Sequence, residues 1–311
     1  MAITGTGTEL DPFIVHSYDE MVEAFTCHTG DDTMYYSKLA NDIDCNSYGS
    51  NWEWETVSMG SSSSTAADRY KNTLDLDGKT IKNIYIKSAN ELFNGGSYSN
   101  AVLKNGKILN IFGSSIASVF NAVTLNNIST SFQIGTPSGN PFHSCSINDA
   151  AIYAIVSNLG AKSLIFYAGR GDTVKNVDVY TELYNASGAQ VNATVFYSTS
   201  SSSYVDSVRL VGKMVPADLS APTKRGISTY KMINSVVDVD MSAYVFPDTS
   251  TGSINLFGTG DGTTVVNMSN INVSGYEMFK ADNGYIKATS AQIKNGAALR
   301  ELGFNVVNVG A

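Results

Sequence analysis

"TLDLDGKTIKNIYIKS" (residues 73–88) begins as a strand, turns at Gly78 and resumes as an apolar–polar alternation around Asn83. The same pattern, apolar, polar, Asn, apolar, returns along the chain. It is read at Ile81-Lys-Asn83-Ile, Leu103-Lys-Asn105-Gly, Leu125-Asn-Asn127-Ile, Ile147-Asn-Asp149-Ala and Val174-Lys-Asn176-Val. Weaker copies centre on Ser207, Ser235 and Asn270. The first three intervals are 22 residues each and the later ones are 27, 31, 28 and 35. Self-similarity on this scale marks a repeat protein whose units bury their apolar faces only by stacking on one another.

Each unit alternates with a period of two and is separated from the next by Gly, Asn, Ser and Asp, with no helical spacing between. This predicts an all-β solenoid, a single-stranded coil of parallel strands, with loops of varying length on one flank. Asn is the side chain, after Gly, that best tolerates a left-handed backbone, and stacked Asn amides can bond to one another. The recurring position is therefore expected to be the corner of each coil, and a catalytic or sugar-binding role for these asparagines is the less economical reading. Phe93, Phe120, Phe142, Phe166, Phe196, Phe257 and Phe279 recur about once per unit and are expected to form an internal stack. The body is assigned to residues 73–283, with an N-terminal cap and first coils at 1–72 and a C-terminal helix–strand cap at 284–311.

Only 15% of the residues are charged, the formal net charge is −8, and Lys and Arg form no run. Nucleic-acid binding needs clustered cations and is excluded as an expectation. Cys27, Cys45 and Cys145 are odd in number and widely spaced, so they read as small buried residues and not as a disulfide framework or a zinc site. The start, "MAITGTGTELDPF", lacks the basic and apolar regions of a signal peptide, and no run of 18 apolar residues occurs. Neither membrane insertion nor export by a cleaved signal is expected.

In "SYDEMVEAFTC" (17–27), Ser17 is an N-cap with Glu20 three residues on, and Met21, Ala24 and Phe25 form one stripe. A short helix here would shield the open end of the first coil. His16 and His28 flank it without a third partner, which favours surface or capping roles over metal binding. At the other end, Ala298, Leu299, Leu302 and Gly303 precede "FNVVNV", the expected closing cap, so the chain reads as a complete body. The serine-rich stretches 60–67 and 198–204 read as exposed loops.

Gly5, Gly7, Asp11, Pro12, "NDID" (41–44), Trp52, Trp54 and Leu74 to Asn83 together resemble the opening of right-handed parallel β-helix proteins of the GLUG-repeat and pectate-lyase-like type. Such proteins are widespread in gut Bacteroidetes and in the tailed phages that infect them. The resemblance covers roughly the first hundred residues and implies a fold and a setting, since its motifs carry no catalytic residue.

Chemistry is sparse. Asn176-Val-Asp178 is similar to the first motif of glycoside-hydrolysing β-helices, yet no acid pair follows; Asp178 is expected beside Arg209 on the next strand, as an ion pair. Asp42 and Asp44, with Asp75 and Asp77, could chelate calcium but lack a terminal bidentate acid, and read better as edge or turn carboxylates. "GRGD" (169–172) could be an adhesive tripeptide or, more simply, a turn, and "GTGDGTT" (258–264) lacks the Lys of a phosphate loop. Tyr98, Tyr180, Tyr184, Tyr197 and Tyr204 fall near variable loops, where they could meet sugar rings or a neighbouring subunit.

No catalytic, cofactor or metal residue is assigned. A surface fold without an export signal or catalytic constellation is expected of a non-enzymatic virion protein: a head decoration, a head fibre or a tail-associated component. Its expected partners are copies of itself, as a trimer packed side by side, other virion proteins reached through the N-terminus, and host surface glycan. A tailspike-like depolymerase using Asp178, or a glycan-binding adhesin, is the alternative.

Overall fold

A computed structural model describes residues 3–26, 33–61, 70–96, 101–135, 140–159, 164–168, 172–185, 194–198, 202–215, 225–228, 231–240, 255–257, 264–267, 285–289 and 291. The chain divides into two compact units, Met1–Tyr153 and Ala154–Ala311.

In the first unit the chain runs β1 (Phe13–Val15), α1 (Tyr18–Thr26), β2 (Thr33–Leu39), β3 (Ile43–Asp44), a 3-10 turn (Cys45–Tyr48), β4 (Val57–Ser58), β5 (Tyr70–Asp75), β6 (Thr80–Tyr85), β7 (Glu91–Asn94), β8 (Ala101–Ser114), β9 (Ser118–Asn121), β10 (Val123–Gly135), β11 (Phe142–His143) and the first half of β12 (Ile147–Leu159), which the boundary after Tyr153 divides. The second unit contains β13 (Leu164–Ala168), β14 (Thr173–Asn185), β15 (Thr194–Ser198), β16 (Tyr204–Val215), β17 (Arg225–Ser228), β18 (Lys231–Ile233), β19 (Val236–Asp240), β20 (Asn255–Phe257), β21 (Thr264–Asn267) and β22 (Tyr285–Ala288).

Strands fall into two sheets. In the first unit one sheet has the order β1-β2-β5-β8-β10-β12, with β6 also on β8 and β3 on β6, and the other has β4-β7-β9-β11. In the second unit the orders are β14-β16-β19-β21-β22, with β18 on β16, and β13-β15-β17-β20. Within each unit successive strands alternate between its two sheets, from β7 to β12 in the first and from β13 to β17 in the second, and the pairings are parallel. The fold is all-β and built on parallel sheets, as expected.

The corner asparagines explain the repeat. Asn83, Asn105, Asn127, Asp149, Asn176 and Ser207 all have positive φ, between 51° and 59°. A left-handed residue breaks the two-residue alternation, so the residues two before and one after it both point inward. Ile81 and Ile84, Leu125 and Ile128, and Val174 and Val177 are accordingly buried pairs. An ordinary L-residue would lose about 1–2 kcal/mol in this conformation, and Asn reduces that cost by bonding locally.

The amides do stack. Asn127 Nδ2 donates to Asn105 Oδ1 at 3.3 Å, and Asn105 Nδ2 to Asp75 at 3.2 Å. A second file runs beside it: Asn110 Nδ2 donates to Asn83 Oδ1 at 3.0 Å, and Asn83 Nδ2 to Asp44 Oδ1 at 2.8 Å. Asn83 and Asn105, copies of one position in the repeat, therefore belong to different files. β8 is long enough to pair with β5 through its first half and with β6 through its second, which sets Ile81 opposite Ile108 and Leu74 opposite Leu103. Asn110, with φ 56°, is a corner that the repeat alignment missed. The corner assigned to Ser235 likewise belongs to Asn234, φ 48°, whose amide donates to Asp206. Asn270 lies outside the described residues.

Gly106 departs from the motif for a steric reason: a Cβ there would stand 2.4 Å from the Cβ of Leu76. The phenylalanine stack is present. Phe93 lies on Phe120 (6.3 Å, 10° between planes), Phe120 on Phe142 (5.4 Å, 20°) and, in the second unit, Phe166 on Phe196 (4.8 Å, 21°). Phe257 is placed only by its backbone, opposite Ser228, and Phe279 lies outside the described residues.

The helix α1 begins as read. Ser17 Oγ accepts from Glu20 N–H at 3.2 Å, and Met21, Ala24 and Phe25 are buried. Glu20 reaches back to the His16 N–H and ring Nδ1, both at 2.8 Å, so His16 serves the cap. Burial alone would raise the Glu20 carboxyl, but the bonds from His16 prevail and lower it. Cys45 and Cys145 are buried free thiols, and burial pushes Cys45 up to about 12. Cys27, His28 and nearly all of the expected C-terminal cap lie outside the described residues. No helix among the described residues is long and apolar enough to cross a membrane.

Candidate functional site

Among the described residues, chemistry concentrates in two places, one in each unit. The first is a shallow cleft of about 350 Å³ lined by Tyr18, Asn51, Trp52, Glu53, Glu55 and Lys87. Its foundation is Trp54, fully buried, with the indole N–H donating to the Leu92 carbonyl at 2.9 Å and the ring set edge-on against Phe93 at 5.6 Å. The Trp54 backbone is laced to the end of β6, its N–H donating to Tyr85 O (2.6 Å) and its carbonyl accepting from Lys87 N–H (3.0 Å). That lacing brings Glu55 beside Lys87, and the carboxylate and ammonium meet at 2.7 Å.

Above Trp54 stands an aromatic cluster. Tyr18, the first residue of α1, packs edge-on against Trp52 (4.9 Å, 83°) and Trp54 (4.7 Å, 66°). Tyr48 stacks on Trp52 at 4.7 Å and 23°, and its hydroxyl oxygen accepts from Tyr18 N–H at 2.9 Å. The Tyr18 hydroxyl donates to the Glu55 carbonyl at 3.3 Å, and burial pushes that phenol up to about 12. Trp52 is thus held from three sides while remaining half-buried at the rim. Lys87 lowers the Glu55 carboxyl below the usual carboxylate range, and Glu55 raises Lys87, so both stay charged. The cleft offers an aromatic surface, an acceptor and a donor within one small concavity.

The second place lies on β14 and β16. Glu182 accepts hydrogen bonds from the hydroxyls of Tyr180, at 2.6 Å, and Tyr184, and is paired with Lys213 at 3.3 Å. Lys213 also lies over the Tyr184 ring, 5.1 Å from its centroid. The two phenols hold Glu182 below the usual carboxylate range, and Tyr184 and Glu182 push Lys213 up to about 12. Tyr204 is covered by Lys175 at 4.9 Å. Three tyrosines expected near loops are therefore engaged on the sheet face. Tyr98 and the Tyr197 side chain lie outside the described residues.

Asp178 stands opposite Arg209, as the register predicted, but both side chains are exposed, and among the described residues no ion pair joins them. Solvation of each charge on an open face competes with the pairing. Asp178 thus faces a base and not a second acid. The aspartates Asp42, Asp44, Asp75 and Asp77 are edge and turn groups, the reading preferred above to calcium ligation. Asp42 accepts from Thr80 N–H, and Asp44 from Asn46 N–H, Asn83 and Lys82. Asp75 accepts from Asp77 N–H, and Asp77 pairs with Lys38. No group of three or more metal-ligating side chains occurs among the described residues. Of "GRGD" only Asp172 is described, and of "GTGDGTT" only Thr264.

No family model matches the chain, and no curated protein does. Among solved structures it is similar to a protein from Bacteroides ovatus described as a "putative immunoglobulin A1 protease". The two share 14% identity with a TM-score of 0.43, over 94% of this chain and 88% of that one.

Proposed function

We propose that in each unit the two sheets are faces of a right-handed parallel β-helix, with α1 covering its first turn, and that the protein is a non-enzymatic structural component of a tailed-phage virion that contacts surface glycans. The alternation of successive strands between two parallel sheets supports the β-helix, since crossovers between parallel strands take the right hand. The virion setting rests on the resemblance carried by residues 5–83.

The observation that carries the non-enzymatic reading is the state of the carboxylates beside aromatic groups. Glu55 and Glu182 are each paired with a lysine and held below the ordinary range. Neither keeps a proton at neutral pH to give to a leaving oxygen, as glycoside hydrolysis requires. Incubation with bacterial capsular polysaccharides should release no reducing ends and no unsaturated sugars; release of either overturns this reading. Mass spectrometry of purified virions should find the chain among the particle proteins.

Copies are expected to pack side by side, as a trimer, through faces rich in Ser, Thr, Asn and Tyr. Light scattering at a mass near 33.2 kDa across micromolar concentrations would remove the oligomer.

A further inference from the structure

The geometry points to the Trp52 cleft as a saccharide subsite that takes a neutral pyranose ring carrying a free vicinal diol. This deepens the glycan-contact part of the proposed function and is independent of the virion setting.

Sugar recognition needs an aromatic surface for the apolar C–H face of the ring and fixed polar groups for the hydroxyls around its edge. Trp52 supplies the surface. It is half-buried and lines the cleft; Tyr48 stacks on it at 4.7 Å and the Tyr18 and Trp54 rings stand steeply to it at 4.9 and 6.1 Å, so little side-chain freedom remains to be lost on binding. The polar groups stand together. Backbone bonds between residue 54 and residues 85 and 87 set the two segments side by side, and the Glu55 and Lys87 side chains meet there at 2.7 Å.

An acceptor and a donor at that separation match two adjacent hydroxyls. One hydroxyl donates to the Glu55 carboxylate while its neighbour accepts from the Lys87 ammonium. Opposed charges suit a diol, which can donate at one oxygen and accept at the other. Asn51, whose amide both donates and accepts, extends the rim.

Charge narrows the ligand. The lining carries Glu53 and Glu55 against Lys87 alone, so a uronic or sialic acid would bring a further negative charge to a net negative site. A neutral ring suffers no such penalty. The volume, about 350 Å³, lies at the small end of ligand sites and suits a single ring or a chain terminus. The site is distinct from the Glu182 cluster, whose carboxylate oxygens are already taken by two phenols and a lysine.

The test uses the full chain, whose two tryptophans are Trp52 and Trp54. Methyl β-D-glucopyranoside and methyl β-D-glucopyranosiduronic acid are titrated by saturation-transfer NMR and tryptophan fluorescence, beside an array of intact bacterial and host glycans. The neutral glycoside should bind and shift the fluorescence, and the acid should bind more weakly. Trp52→Ala should weaken binding by about tenfold, the scale of a lost aromatic contact. Because that variant could disturb the cluster, Lys87→Met is measured as well; it retains the stem, removes the ammonium, and should weaken binding by about tenfold or more, the scale of a lost charged hydrogen bond. Absence of saturation transfer from the neutral glycoside, or binding unchanged in both variants, overturns the subsite. Array binding that survives both variants would retain glycan contact and remove this site, whereas silence on the array and with both glycosides would remove the two together.

Discussion

Each unit places a glutamate against a lysine beside aromatic rings, and the two pairs differ in what else touches them. At the cleft, the Glu55 and Lys87 side chains are 65% and 49% exposed, and their partners are each other. In the Glu182–Lys213 pair the carboxylate is only 15% exposed and also takes both tyrosine hydroxyls. The same ion pair is thus a closed network in one unit and an open one in the other. Satisfied hydrogen-bonding capacity makes a structural clasp, while capacity left to solvent is available to a ligand.

The comparison breaks first at its foundation. Trp54→Ala removes a fully buried indole and its hydrogen bond to the Leu92 carbonyl, and should cost about 3–5 kcal/mol in denaturant unfolding. The same variant should abolish the fluorescence response of the cleft. A loss under about 1 kcal/mol would show that the aromatic cluster is not anchored through Trp54.

Glu182→Ala should cost about 1–2 kcal/mol by the same measurement, because two phenols and an ammonium lose their acceptor. The pH dependence sharpens the point. The folded Glu182 carboxyl is lowered by Tyr180 and Tyr184, so its contribution is fully present above the unfolded value, about 4.3, and is lost as pH falls through the folded value. The melting-temperature gap between the native chain and Glu182→Gln should be constant from neutral pH to about 5 and close below that. A gap that persists to lower pH would mean that the ionised form is not what the cluster stabilises. The smallest effect is expected at the exposed pair: Glu55→Gln should leave the melting temperature unchanged while weakening saccharide binding.

Much of this molecule was legible because its signals are local. The left-handed corner is a demand on one residue's backbone, so Asn83, Asn127 and Asn176 announce it wherever they stand. The cap at Ser17 and Glu20 spans four residues, and the phenylalanine spacing reports a core that repeats. Register was less legible. Asn83 and Asn105 share an interval with true neighbours yet stack on different partners, because β8 pairs with two strands along its length. The apolar–Asn–apolar run at Leu109, Asn110 and Ile111 was the available sign of the second file of amides.

Trp52 and Trp54 stood out in the sequence only as marks of a fold, and nothing near them named Lys87, 32 residues from Glu55. The sequence by itself determined the parallel all-β architecture, most of the corner residues and the helix cap, since each follows from local conformation. The tertiary structure alone decided which asparagines stack, which glutamate is enclosed by tyrosines and which faces solvent. Those outcomes depend on which strands lie side by side, and parallel pairing joins residues that the chain separates by whole turns of structure.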